Sequence, residues 1–377
     1  MRLTFIIYAT GTFGGGRYSI YKFAEYLAKR GNYITVFLIG KSLFTNEEKD
    51  ENLQIIKCSQ INLKLKGVGV VNKIIKKLFF FPRLNIFLKN NKQDFIVGYQ
   101  VISALDAIYF GNKHNIKVAN FVFETPDWLM LEHKNWIQNH IKKKNLRIWN
   151  SFKKTLLKSD QVFPNSKLTK NKAEKWLNKT INNPIYPGID IKKIPDNDNI
   201  KQQNQIIYIG KLEAHKNIHI LLEALAQLKN PPFLIVCGNG PELNKLKEIA
   251  KIKGVSCKFK GNISDTEKWI LLKQSMFLVF PSSFEGFGMP PMEALASGIP
   301  CLCSDIPIIK SVYDNHVEYF KSENSQDLAE KISFLYYNED YRKNRGKDGK
   351  KFILENYTWD HSASKLESLL LNKQYKE

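Results

Sequence analysis

Short apolar runs alternate with amphipathic segments along almost the whole chain. In the first half the pattern predicts strands at 3–9, 33–39, 94–98, 117–123 and 161–164, and helices at 17–30, 101–114, 133–158 and 167–178. The second half repeats it, with strands near 206–210, 233–237, 256–260, 277–280 and 300–303 and helices near 217–228, 241–252, 265–274, 290–297, 325–337 and 340–355. Such alternation is typical of parallel sheets with helices on both faces.

The repeated pattern predicts two doubly wound α/β domains in tandem, with ligands bound at the carboxyl ends of their strands. Pro187-Gly188 turns the chain, and the segment 191–204 is polar and rich in Asn, Asp and Lys. We therefore expect an N-terminal domain over 1–188 and a C-terminal domain over 189–356. The last segment, 357–377, either completes the second domain or crosses back onto the first.

The most informative stretch of the sequence is Phe284–Ala296, which follows an apolar strand and opens a helix. Two carboxylates, Glu285 and Glu293, flank a Gly-Pro turn in this stretch. Pro290 and Pro291 suit the first helical turn, where a missing N–H costs little. The positive end of the helix dipole then attracts an anion between two hydrogen-bond acceptors. A nucleotide sugar, with a diphosphate between two polyols, fits that arrangement.

Lys211 and Lys216 occupy a loop between the strand that ends at Gly210 and a helix that opens at Asn217, a favourable N-cap residue. Two ammonium groups at the carboxyl edge of a sheet are suited to neutralising a diphosphate leaving group as its charge develops. The alternative is a pair of solvated loop lysines.

A glycine-rich loop follows the first strand and contains Gly14, Gly15 and Gly16, with Arg17 at the start of the next helix. Consecutive glycines let the backbone approach a ligand closely. The loop lacks the Gly-x-Gly-x-x-Gly spacing of a dinucleotide fingerprint, so an ordinary tight turn is the alternative.

Positive charge is concentrated in the first half of the 377-residue chain. Residues 1–195 hold 33 of the 57 Lys and Arg and 13 of the 36 Asp and Glu, which is +20 of the net +21. This half is therefore expected to meet an anionic membrane, lipid or glycan. No nucleic-acid motif supports that partner, and none is expected. We find no signal peptide and no apolar run of about 18 residues, and we expect a cytoplasmic protein with free thiols.

These motifs, in this order, resemble the retaining glycosyltransferases of family 4 (glycosyl transferases group 1), which have the GT-B fold of two facing Rossmann-like domains. The resemblance covers nearly the whole chain. It rests on the glycine loop 14–16, the segments 162–166, 187–190, 210–217, 238–242 and 261–263, the Glu285-x7-Glu293 motif, and the segments 297–300 and 304–307.

The resemblance implies a role for each motif in binding a nucleoside-diphosphate sugar. Glu293 would accept hydrogen bonds from the ribose hydroxyls, and Glu285 would hold the transferred sugar near its reactive carbon. Lys211 and Lys216 would bind the diphosphate. The glycine loop, at Gly14, Gly15 and Gly16, would lie near the phosphates or the acceptor. The backbone N–H groups that would bind sugar and diphosphate belong to Gly286, Phe287, Gly288 and Met289.

Two positions depart from the family pattern. Lys211 stands where Arg is usual, which keeps the charge but loses the two-pronged contact of a guanidinium. Glu124 stands where many members have a His after the fifth strand of the first domain, with Asp127 nearby. Both acids, together with Arg17, are candidates for the acceptor side, where Glu124 would bind sugar hydroxyls or receive the acceptor proton. The alternative for 124–127 is a helix-capping segment.

We therefore expect a metal-independent retaining hexosyltransferase that uses a UDP- or GDP-sugar, needs no cofactor, and glycosylates a glycan or lipid-linked acceptor in polysaccharide or glycolipid synthesis. The Asp196-Asn197-Asp198 sequence has the form of a metal-binding motif but lies in the polar linker. The basic, aromatic-containing stretches 72–83 and 140–149 suggest peripheral attachment to the inner face of the membrane. The alternatives are a GT-B epimerase or phosphorylase, or a non-catalytic relative that binds nucleic acid or membranes.

Overall fold

The computed structural model describes residues 1–9, 15–40, 50–58, 80–126, 143–195 and 200–372. The chain divides into two compact units. The first comprises Met1–Pro187 and Trp359–Glu377, and the second comprises Gly188–Thr358.

The first unit is built on a parallel sheet. Within the described residues its strands are β1 (Arg2–Ala9), β2 (Tyr33–Gly40), β3 (Leu53–Lys57), β4 (Phe95–Tyr99), β5 (Lys117–Val122) and β6 (Gln161–Pro164), in the order β3-β2-β1-β4-β5-β6. Its helices are α1 (Gly15–Lys29), α2 (Phe81–Asn90), α3 (Gln100–His114), α4 (Lys143–Lys158) and α5 (Lys167–Leu177).

Alternating apolar side chains bury both faces of this sheet. Phe5 and Ile7 of β1 join the core beneath α1, and Ile6 joins the core beneath α2 and α3. That alternation follows from the two-residue period of a strand. Across the first face the rings of Phe23 and Phe121 stack 5.1 Å apart.

The second unit repeats the plan. Its strands are β7 (Gln205–Ile209), β8 (Phe233–Cys237), β9 (Cys257–Gly261), β10 (Leu278–Phe280), β11 (Cys301–Ser304) and β12 (Glu318–Phe320), in the order β12-β11-β10-β7-β8-β9. Its helices are α6 (Ile218–Ala226), α7 (Leu243–Ile252), α8 (Asp265–Gln274), α9 (Met289–Ala296), α10 (Pro307–Tyr313), α11 (Ser325–Tyr337) and α12 (Glu339–Asn356). In each sheet the first and fourth strands are neighbours, which creates the switch point where doubly wound folds bind ligands.

The final helix, α13 (Trp359–Leu370), packs on α1 of the first unit. Trp359 is buried edge-on against Phe23, at 5.4 Å between ring centroids. Glu367 accepts hydrogen bonds from Arg30 Nε at 2.9 Å and Asn32 Nδ2 at 2.6 Å. An apolar stripe and a half-buried acid therefore dock this helix.

The predicted doubly wound α/β class is confirmed by the two parallel sheets. The predicted strands are present, with ends that differ by a residue or two. The sequence pattern missed β3, β12, α2 and α10, which are short or border residues outside the described ranges. The helix predicted over 133–158 is described only from Lys143 onward. All five thiols are free; four are buried and Cys257 is half-buried.

Candidate active site

Two loops meet at the switch point of the second sheet. Residues 210–217 follow β7 and residues 281–288 follow β10, and these two strands are hydrogen-bonded neighbours. The Ser283 N–H and hydroxyl both donate to the His215 carbonyl, at 2.9 and 3.2 Å. This bridge joins the loops one residue before Lys216 and two residues before Glu285.

The bridge brings Lys216 and Glu285 into a direct ion pair, with Lys216 Nζ 2.6 Å from Glu285 Oε1. Their side chains are only 14% and 11% exposed, so solvent screens the pair weakly. The ammonium also lies 5.9 Å from the centroid of the Phe280 ring. Withdrawing two charges from water is costly, and natural proteins often keep such pairs for reasons other than stability.

Two glycines shape the first loop. A Cβ on Gly238 would lie 1.8 Å from the Gly210 carbonyl oxygen, and one on Gly240 would lie 2.3 Å from that of Leu212. The segment after β8, which holds Gly238 and Gly240, is therefore in direct backbone contact with the loop after β7. Only glycine permits this contact at these two positions. Leu212 donates to the Asn239 carbonyl and accepts from the Glu242 N–H, both at 3.0 Å.

A buried tyrosine supports each loop. The Tyr208 hydroxyl donates to the Lys211 carbonyl at 2.9 Å, and the Tyr313 hydroxyl donates to the Gly288 carbonyl. Burial raises the pKa of both phenols well above the usual value, so both remain donors. Gly288 precedes α9 with a φ of +90°, a left-handed conformation that favours glycine.

The start of α9 offers fewer donors than an ordinary helix. Pro290 and Pro291, in the first turn, have no N–H. Among the described residues no partner is found for the Met289 N–H. A ligand at this end would therefore meet the helix dipole and the Met289 amide.

Glu293 also forms an ion pair, which the sequence analysis missed. Lys268 Nζ in α8 lies 2.7 Å from Glu293 Oε1 and 3.3 Å from Asp265 Oδ1. The side chains of Lys268 and Glu293 are 15% and 16% exposed. Burial lowers the pKa of Lys268, but Glu293 and Asp265 outweigh that effect and the pKa is raised. Lys268 is therefore charged at neutral pH.

Lys211 and Asn217 lie on the same loop as Lys216 but have different surroundings. Lys211 is 40% exposed and lies 4.0 Å from Glu213. Asn217 precedes α6 as predicted, but its side chain makes no capping hydrogen bond. Its φ of +51° instead ends the turn Ala214–Lys216 in a left-handed conformation, so the predicted N-cap chemistry was wrong.

The candidate residues of the first unit gather after β1 and β5. A Cβ on Gly16 would lie 2.8 Å from the Phe123 ring, so this glycine permits close packing of α1. Burial raises the pKa of Tyr99, and a hydrogen bond from Arg17 opposes the rise. Glu124 follows β5, and burial raises the pKa of its carboxyl.

Several sequence-predicted residues cannot be placed. Gly14, Asp127 and the Asp196–Asp198 motif lie outside the described residues, as do most of 72–83 and part of 140–149. Gly15 is described and opens α1. Across the described ranges, no group of three or more His, Cys, Asp or Glu side chains is arranged to hold a metal ion.

Residues 190–352 match the family described as glycosyl transferases group 1. This range contains both ion pairs and both loops. The second unit is therefore similar to this family over nearly its whole length. The comparison confirms the resemblance found in the sequence.

Curated relatives align with this chain over part of its length. An uncharacterized glycosyltransferase of Methanocaldococcus jannaschii is 29% identical over 213 residues, covering 55% of this chain and 58% of the relative. The O-antigen chain mannosyltransferase RfbU of Salmonella typhimurium is 31% identical over 135 residues, covering 35% and 38%. The aligned part is thus little more than half of the first relative and less than half of the second.

Solved structures match nearly the full length of the chain. Sucrose-phosphate synthase from Thermosynechococcus elongatus superposes with a TM-score of 0.83 at 15% identity, covering 98% of each chain. HepE of Anabaena, solved with UDP-glucose, superposes with a TM-score of 0.77 at 15% identity, covering 99% of this chain and 100% of HepE. At this identity the likeness concerns the fold, and the fold is GT-B.

Proposed function

We propose that this protein is a retaining hexosyltransferase that uses a UDP- or GDP-sugar and glycosylates a glycan or lipid-linked hydroxyl. The single observation that carries the proposal is the weakly screened Lys216–Glu285 pair at the switch point, beside the start of α9. Cation, carboxylate and helix dipole together match the three chemical parts of a nucleotide sugar at the reacting bond: phosphate, sugar hydroxyls and departing charge.

In the proposed reaction the bond between the anomeric carbon and the diphosphate oxygen breaks first. Lys216, Lys211 and the N-terminus of α9 stabilise the negative charge on the departing diphosphate. The acceptor hydroxyl attacks the same face of the sugar, and its proton passes to a phosphate oxygen of the leaving group. No metal is invoked in this scheme.

Binding of the donor changes the partners of Lys216. In the free protein Glu285 neutralises the ammonium at 2.6 Å. A bound diphosphate would share that ammonium, and the Glu285 carboxylate would then accept hydrogen bonds from the hydroxyls of the transferred sugar. Glu293 would accept from the ribose hydroxyls.

The names of relatives support a role in cell-surface polysaccharide synthesis. They include the O-antigen chain mannosyltransferase RfbU and TuaC, a putative teichuronic acid biosynthesis glycosyltransferase of Bacillus subtilis. HepE was solved with UDP-glucose. These names cover both mannosyl and glucosyl donors, so the donor is proposed only as a UDP- or GDP-sugar.

A turnover assay tests the proposal. The protein is incubated with UDP- and GDP-sugars and with glycan and lipid-linked acceptors, and release of nucleoside diphosphate is followed with and without EDTA. We expect acceptor-dependent release that Lys216→Met abolishes. Lys310→Met is the control, since it removes an exposed ion pair in the same unit. NMR of the product gives the anomeric configuration.

Other outcomes favour the alternatives. Sugar phosphate formed from inorganic phosphate would indicate a phosphorylase, and an isomerised sugar nucleotide would indicate an epimerase. Nucleic-acid binding that falls steeply with salt, without turnover, would indicate a non-catalytic relative.

We also propose that the first unit docks on an anionic membrane surface. Among the described residues no helix is long and apolar enough to cross a membrane. The exposed face of α3 carries Ile102 and Tyr109, 55% and 51% exposed, and Tyr109 stacks on Phe81 beside the exposed Arg83. Exposed apolar groups next to cations suit an anionic bilayer interface.

Co-sedimentation with liposomes tests the docking. We expect binding to anionic vesicles at low salt that weakens at physiological salt, and weaker binding by Ile102→Gln/Tyr109→Gln. Ile252→Gln is the control, because Ile252 is 76% exposed on the second unit. Equal partition into neutral and anionic vesicles would contradict docking by charge.

A further inference from the structure

A chain of alternating charges runs from the surface of the second unit to Glu293. Lys193 Nζ lies 3.5 Å from Asp265 Oδ2, Asp265 Oδ1 lies 3.3 Å from Lys268 Nζ, and Lys268 Nζ lies 2.7 Å from Glu293 Oε1. The side chains of Lys193 and Asp265 are 30% and 56% exposed, whereas those of Lys268 and Glu293 are only 15% and 16% exposed. Its inner end is therefore a carboxylate held in a partly desolvated place.

Lys268 is fixed on several sides. Its ammonium lies 4.9 Å from the centroid of the Trp269 ring, and Trp269 is itself buried. Asp265, in the first turn of α8, takes a second N–H of the ammonium. The lysine cannot swing freely with its partner, so Glu293 is held by a fixed donor.

The contact with Lys268 uses one carboxylate oxygen of Glu293 and leaves the other oxygen available to a ligand. Lys268 donates to Oε1, and no hydrogen bond to Oε2 is found among the described residues. An ionised carboxylate has about four lone-pair positions, so a held carboxylate still has room to accept from a ligand. The arrangement is that of a binding group orientated by a second residue, which lowers the cost of ordering it when the ligand arrives.

Stability alone explains the pair poorly. Burying two charges carries a desolvation penalty that their attraction often only balances, and apolar side chains of similar size are frequently no less stable. A role in ligand binding accounts for both the burial and the unused oxygen.

We infer that Lys268 is a positioning residue that aims Glu293 Oε2 at the ribose hydroxyls of the donor, and so sets the preference for ribonucleotides over deoxyribonucleotides. The inference rests on the proposed function, in which Glu293 receives the ribose. It assigns to Lys268 no contact with the reacting bond.

Calorimetric titration of the full-length protein tests this role. The probes are UDP, 2′-deoxy-UDP, GDP and 2′-deoxy-GDP, and the proteins are wild type, Lys268→Met, Lys268→Arg and Lys260→Met. Lys260→Met is the matched control, since it removes a partly exposed pair with Glu267 in the same unit. Thermal unfolding confirms that each variant is folded.

We expect wild type to prefer the ribonucleotide by roughly tenfold or more, the size of one hydrogen bond to a charged group. Lys268→Met should lose most of that preference, chiefly through weaker ribonucleotide binding. Lys268→Arg, which retains a cation, should restore part of it, and Lys260→Met should match wild type.

Two results would overturn the assignment. One is that Lys268→Met prefers the ribonucleotide over the deoxyribonucleotide as strongly as wild type does. The other is that Lys268→Met loses affinity equally for the ribonucleotide and the deoxyribonucleotide, which would mean that Lys268 supports only the packing. If wild type binds none of the four nucleotides, the proposed function itself fails, and the role of Lys268 fails with it. If Lys268→Met does not fold, the Lys268→Arg titrations decide between these results.

Discussion

Gly240→Ala should displace the loop that carries Lys216 without touching any ligand-binding side chain. The added Cβ would lie 2.3 Å from the Leu212 carbonyl oxygen, 2.6 Å from its carbonyl carbon and 2.7 Å from its nitrogen. All three atoms are backbone, so no side chain can rotate away. The two segments must separate by about 1 Å. The bond that the Leu212 N–H donates to the Asn239 carbonyl and the bond that the Leu212 carbonyl accepts from the Glu242 N–H must then lengthen.

Two magnitudes follow from that displacement. Overpacking of this kind costs about 1–3 kcal/mol of unfolding free energy. For a unit of this size each kcal/mol lowers Tm by about 2–4 °C. A shift of about 1 Å in a catalytic group can lower kcat/KM by roughly a hundredfold. We therefore expect a modest fall in Tm and a large fall in kcat/KM.

The assay is nucleoside diphosphate release with the donor that wild type prefers, alongside thermal unfolding. Gly254→Ala is the matched control. Its φ of +66° makes alanine strained, at about 1–2 kcal/mol, but no atom lies within 4 Å of the added Cβ. A kcat/KM for Gly240→Ala no lower than that of Gly254→Ala would refute the reasoning, because the two variants lose similar stability.

Two further predictions concern single carboxyl groups. Glu293→Gln should weaken nucleoside diphosphate binding about tenfold in calorimetry, whereas Glu285→Ala should mainly lower the rate of transfer; unchanged kinetics in both would contradict the site assignment. Burial raises the pKa of Glu124, so the folded state binds more protons than the unfolded state above the usual carboxyl pKa, and stability falls as pH rises through that window. Glu124→Gln should therefore raise Tm at pH 8 more than at pH 5, and an equal change at both would argue against a desolvated carboxyl.

The sequence was sufficient to predict the architecture and to place Lys216 and Glu285 at the same edge of one sheet. Strand–helix alternation predicts parallel sheets, and the carboxyl ends of parallel strands share one edge. Lys216 and Glu285 follow β7 and β10, which are neighbours, so their proximity follows from topology. The Ser283–His215 bridge that fixes the distance gave no sequence signal, because it joins a backbone carbonyl to a backbone N–H and a serine hydroxyl, which are common groups in any loop.

Lys268 could not have been predicted in the same way. It is one of 57 Lys and Arg residues, and it lies on a helix that follows β9 at the edge of the sheet. Its contact with Glu293 depends on how far a four-carbon side chain reaches between α8 and α9. Such contacts are set by side-chain packing, which a linear pattern of apolar and polar residues does not encode.

The start of α9 offers fewer hydrogen-bond donors to an anion than most helix starts. Two prolines favour a helix start, and the sequence pattern predicts an anion site at the positive end of the helix dipole. The same two prolines remove two N–H donors from the first turn of α9. The loss places more of the proposed phosphate binding on Lys216 and the backbone near Met289.

The most direct measurement is a crystal structure of the protein with the nucleoside diphosphate that binds it most tightly. The account predicts phosphate oxygens within hydrogen-bond distance of Lys216 Nζ and the Met289 N–H, with a ribose hydroxyl on Glu293. A nucleotide bound elsewhere, or bound with Lys216 still paired to Glu285 and Glu293 untouched, would contradict it.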